Sequence, residues 1–156
     1  MKINGLLLRF ACILLVGCHS EPKEFTYTFT MESADAYKLS LTIDQDKQYT
    51  IQEQYILFDR RANQANPKLK EGTLNEADFS EFKKQLTGSK LFKMQDSYGF
   101  DKEEDQALHD VLYHIMYKAD GKEKFISIRL DDSNQFPLAF VKLIEWTNSF
   151  ISQYKE

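Results

Sequence analysis

The sequence predicts an α+β domain: a mainly antiparallel sheet of five to six strands with two helices packed on one face. Three observations predict it. Several short segments alternate apolar and polar residues, the period of a strand with one buried face. Most connections between them are short, which pairs neighbours antiparallel. Two longer segments place apolar residues at helical spacing.

Residues 25–31 read Phe-Thr-Tyr-Thr-Phe-Thr-Met, a strict period of two, and residues 37–43 repeat the pattern. Asp44-Gln45-Asp46-Lys47 is a polar turn, so a third strand over 48–59 should form a hairpin with the second. Arg60 to Gly72 reads as a polar loop. A helix should follow. Asn75 is a good N-cap, Leu74 and Phe79 stand where a hydrophobic staple forms, and Phe79, Phe82 and Leu86 make one face. Gly88 should end it. Lys90 to Met94 suggests a short strand, and Gln95 to Gln106 an acidic loop.

Residues 109–130 carry the firmest local signal. Asp120-Gly121 is a type I′ turn pair, which sets Ala119 opposite Lys122. One face then pairs Tyr113 with Ile128 and Ile115 with Ile126. The other pairs His114 with Ser127, Met116 with Phe125 and Lys118 with Glu123. One register yields an apolar face and a charge pair beside the turn. The last helix should run over about 136–153, with a stripe from Phe136 through Phe140, Leu143, Thr147 and Phe150. Asp132, Ser133 or Asn134 could cap it, with Pro137 in its first turn.

The N-terminus is a different kind of sequence. Residues 1–17 hold Lys2, Arg9 and a short apolar run, the pattern of a signal peptide, too short to span a bilayer. It ends in Leu15-Val16-Gly17-Cys18, which resembles the lipobox of bacterial lipoproteins. That resemblance implies cleavage before Cys18, lipidation of its thiol and stable anchoring by two or more acyl chains. Residues 18–24 are then a tether and 25–156 the domain. The domain also resembles small lipoproteins of the Bacteroidetes in its hairpins, its Gly72-Thr73-Leu74 helix entry and its final helix. This likeness implies no activity. The implied location is the cell envelope, lipid-anchored at the outer membrane, with either face open.

The chain has 20 basic and 24 acidic residues, and loses Lys2 and Arg9 with the signal peptide. Such acidity argues against nucleic acid as a partner. Cys12 leaves and Cys18 is acylated, so no thiol remains for catalysis or zinc. His109 and His114 point to opposite faces of a strand, and neither a nucleophile elbow, a P-loop nor a paired-His metal motif is present. No cofactor is implied.

Other features could serve contacts. The stretch Asp96 to Asp105, with Asp101, Glu103, Glu104 and Asp105, is oxygen-rich but lacks EF-hand spacing. The loop with Arg60, Arg61, Lys68 and Lys70 is basic in an acidic protein. Trp146 stands at the edge of the final stripe, as boundary core or as an anchor for a partner. The resulting expectation is a non-enzymatic envelope module, an inhibitor, immunity protein or accessory subunit, contacting an envelope protein through the two loops. The alternative is a small-ligand or calcium module, using the acidic loop or a cleft between sheet and helix.

Overall fold

Phe25, Tyr27 and Phe29 alternate with Thr26, Thr28 and Thr30, and the two sets face opposite sides of one sheet. The computed structural model describes residues 22–33, 37–55, 67–100, 111–130 and 135–154. Its strands are β1 (Phe25–Ser33), β2 (Tyr37–Asp44), β3 (Gln48–Gln54), β4 (Lys68–Thr73), β5 (Ser97–Tyr98), β6 (Val111–Ala119) and β7 (Lys122–Arg129). Its helices are α1 (Glu76–Ser89) and α2 (Leu138–Gln153). The fold is a mixed α/β arrangement of one seven-stranded sheet, in the order β4-β3-β2-β1-β6-β7-β5, and these two helices.

All neighbouring strands run antiparallel except β5, which lies parallel to β7. The β6–β7 hairpin has the expected register, from Ala119 opposite Lys122 to Leu112 opposite Arg129. Asp120 and Gly121 have φ of 47° and 75°, the positive pair that a type I′ turn requires.

One face of the sheet carries Tyr27, Phe29, Leu41, Ile43, Ile115, Ile126 and Ile128, all buried. Tyr27 meets both helices: its ring lies 5.4 Å from that of Phe82 in α1, and its hydroxyl is 3.1 Å from Thr147 Oγ1 in α2. Thr147 Oγ1 already donates to Leu143 O, so Tyr27 is the donor. Burial of each such large side chain contributes about 1.5–3 kcal/mol.

Several sequence expectations change. The sheet has seven strands rather than five or six, because two edge strands escape pattern reading. The first is β4, inside the expected polar loop: Lys68–Thr73 is mostly exposed and shows no alternation. The second is β5, only two residues within the expected acidic loop. Lys90 to Met94 is not a strand. Leu91–Lys93 is a single 3₁₀ turn that buries Leu91 and Met94, three residues apart. Gly88 does not end α1. The helix continues through Ser89, and Lys90 takes the left-handed position at φ 53°. Pro137 is the residue before α2 rather than within its first turn. The third strand is regular only to Gln54; positions 56–59 lie outside the described residues, as do the proposed caps 132–134.

Candidate functional site

The antiparallel order gives the sheet two unlike ends. At one end lies the start of the described chain. The N–H groups of Lys23 and Glu24 donate to Asp120 Oδ1 at 3.1 and 3.3 Å, and Asp120 N–H donates back to Glu24 O at 3.1 Å. The turn residue Asp120 therefore holds the incoming chain. Gln45, in the β2–β3 turn, also lies here: its side chain accepts from Phe25 N–H at 3.2 Å.

The other end collects the longer connections. Ser33 lies beside Tyr37 and Val111, Gln54 beside Lys38, Lys68 beside Glu53, and Arg129 beside Leu112. The Arg129 guanidinium also lies 5.0 Å from the Phe100 ring. The described residues on either side of 56–66 and of 101–110 thus lie at this end, and those two segments lie outside the described residues. Arg60, Arg61, Asp101, Glu103, Glu104 and Asp105 belong to those segments, and so does His109. Cys18 and residues 1–17 also lie outside the described residues.

Two phenols converge at the far end. Tyr37 and Tyr55 both donate to Glu53 Oε1, at 2.9 and 3.1 Å, with their rings 5.1 Å apart. Desolvation, then the hydrogen bond and charge of Glu53, hold the Tyr37 phenol well above its ordinary range. The sequence offers no sign of this cluster, because Glu53 and Tyr55 read as interior positions of a strand over 48–59 and Tyr37 as part of another.

Lys68 and Lys70 lie on β4 rather than in a loop. Lys70 Nζ donates to Tyr154 O at 3.1 Å and sits 5.0 Å from its ring, so it ties the edge strand to the end of α2. Trp146 is half-buried, 4.9 Å from the Phe82 ring and stacked on Phe150 at 5.1 Å, so its indole joins the two helices. Asp96 does not stand free in an acidic loop: Lys124 bonds its carboxylate, and Ser127 N–H donates to its carbonyl at 2.9 Å.

The second face of the sheet is polar. One row across it reads Leu69, Gln52, Ser40, Thr30, His114, Ser127 and Ser97. His114 Nδ1 is 3.0 Å from Ser127 Oγ, and Nε2 is 3.9 Å from Glu32 Oε2. A hydroxyl, an imidazole and a carboxylate in that order resemble a nucleophile relay. The last link, however, exceeds a hydrogen bond. Glu32 is also held by Lys38 at 2.6 Å. Acyl transfer further needs N–H groups aimed at a developing oxyanion, and the Ser127 N–H is already committed to Asp96 O. The trio orients the imidazole and leaves Ser127 unactivated.

Beside the sheet, Tyr113, Ile128 and Leu130 face Phe136, Phe140, Val141 and Ile144 across an apolar groove of about 160 Å³. Glu145 and Asn148 form its polar margin. Among the described residues, no three His, Cys, Asp or Glu side chains gather as metal ligands, and no helix is long and apolar enough to cross a membrane.

No model of a protein family matches the chain, and no curated protein matches it.

Proposed function

We propose that this chain is a lipid-anchored cell-envelope protein whose domain works without catalysis, as an inhibitor, immunity or accessory module that contacts an envelope protein. The observation that carries this reading is the polarity of the sheet. The chain enters at the end clipped by Asp120, and the flanks of both charged segments gather at the opposite end. An anchor at Cys18 would leave a tether over residues 18–24 that spans at most about 25 Å. The membrane would then lie beside the Asp120 end, and Arg60, Arg61, Asp101, Glu103, Glu104 and Asp105 would be offered away from it.

Two measurements test the proposal. Cys18→Ala should abolish metabolic palmitate labelling; label retained at full level would remove the anchor from the reading. A photo-crosslinking residue at Tyr55 or Phe100 should trap one discrete envelope protein, whereas the same residue at Lys122 should not. Equal yields from both ends, or none from either, would overturn the contact surface.

The apolar groove beside α2 favours a second reading, a small-ligand module. A ligand there should raise the melting midpoint by mass action. Substituting Ile144→Asp should cancel that rise. Calcium has less support, since Asp96 is engaged by Lys124; an unchanged midpoint at millimolar calcium would dismiss it.

A further inference from the structure

We propose that the second face of the sheet holds a binding site for a neutral saccharide. The inference goes beyond the anchored-module reading and does not rest on it.

The site is a hollow of about 300 Å³ lined by Thr28, Thr30, Glu32, Lys38, His114, Met116 and Phe125. That volume is at the small end of the range for small-molecule sites, roughly 300–1,000 Å³. Its origin is legible in the side chains. On this face β1 and β2 carry short groups, Thr28, Thr30, Ser40 and Thr42, whereas β6 and β7 carry long ones, His114, Met116 and Phe125. The step from short to long makes the hollow. The Glu32–Lys38 pair closes its end toward Ser33.

The chemistry of the lining selects the ligand. Phe125 is 45% exposed, and its ring lies parallel to that of His114, at 11° and 5.8 Å. A large ring presented to water beside hydroxyls suits the C–H face of a pyranose, whose slightly positive hydrogens meet the negative face of the ring. Sugar hydroxyls both donate and accept. They can therefore give a hydrogen bond to the Glu32 carboxylate and take one from the Lys38 ammonium.

Charge narrows the class further. Glu32 and Lys38 lie 2.6 Å apart and balance one another, so neither a phosphate nor a polycation finds an uncompensated opposite charge. A purely apolar chain would strip water from this pair and from the threonine hydroxyls and return no hydrogen bonds. A neutral, polyhydroxylated ring satisfies both conditions.

The test is a residue-resolved amide NMR titration of the chain from Pro22 onward. This part contains the buried core from Phe25 to Ile151 and needs no anchor. The probes are maltose, cellobiose, mannobiose and N,N′-diacetylchitobiose. At least one should give saturable shifts in the millimolar range, confined to Thr28–Glu32, Lys38, His114–Met116 and Phe125–Ser127. Phe125→Ala should weaken that sugar by about tenfold at an unchanged melting midpoint, and Phe125→Tyr should retain it. Glu32→Gln should also weaken it. No saturable shift with any probe would overturn the proposal. So would shifts located elsewhere, such as the groove beside α2, or undiminished binding by Phe125→Ala. None of these outcomes touches palmitate labelling or crosslinking from the far end, so the two readings fail separately.

Discussion

Gly72 shows how little room one residue can have. It lies opposite Tyr49, and a Cβ built there would meet the Tyr49 hydroxyl at 2.5 Å and its ring carbons at 2.6 and 2.7 Å. The need is for space rather than for an unusual φ. Gly72→Ala should therefore lower stability by about 1–3 kcal/mol, read as an earlier denaturant midpoint. Tyr27 offers a second test. Its buried phenol is held far above the ordinary range by desolvation. The unfolded phenol ionises near 10 while the folded one stays neutral. This contribution is whole below about pH 10 and declines as pH rises above it. Tyr27→Phe should make the alkaline loss shallower, by up to about 1.4 kcal/mol per pH unit, in melts recorded above pH 10. An identical alkaline slope would disprove the assignment. Tyr27 and Tyr49 were readable as inward residues from period two alone. That Gly72 must yield to Tyr49 was not, because the strand pairing is needed to bring them together.

At the scale of elements, α1 carries one good terminus and one poor one. Asn75 Oδ1 accepts from Asp78 N–H at 2.9 Å, and Asn75 Nδ2 donates to the Asp78 carboxylate at 2.8 Å. Asn75→Ala should cost about 1 kcal/mol in thermal unfolding. At the other end Lys90 holds φ 53°, a strained value for a residue with a Cβ. Lys90→Gly should raise stability by up to about 1 kcal/mol, a gain that few surface substitutions deliver. The N-terminus of α1 was legible because capping is local chemistry. Its C-terminus was misplaced by two residues: Gly88 invites a stop, yet the helix continues to bury Ser89, whose hydroxyl donates to Leu86 O at 2.6 Å.

Across the whole molecule, the strand order puts β1 at the centre, hydrogen-bonded to β2 and β6, while β4 and β5 form the edges. β1 also carries Tyr27 and Phe29, both fully buried. Native-state hydrogen exchange should find the slowest amides in β1 and its two neighbours, and early opening of β4. Equal protection in β4 and β1 would contradict a core centred on β1. The same order collects the longer connections at one end of the sheet, far from Asp120, and leaves one face polar. Neither property follows from any single segment. Each arises from strands that pair across long stretches of sequence, β1 with β6 above all.

The sequence alone settled what is local: alternation in the central strands, the type I′ hairpin and its register, the Asn75 cap, and the apolar stripe of α2. Each depends on residues within a few positions of one another, so the physics acts on the segment itself. Tertiary structure alone decided the edge strands, the parallel β5, the clip of Lys23 and Glu24 on Asp120 and the hollow beside Phe125. An edge strand buries no face and so leaves no alternation to read. The clip joins residues 96 and 97 positions apart, and the hollow needs β1, β2, β6 and β7 together. Contacts at such separations exist only after the sheet has ordered its strands.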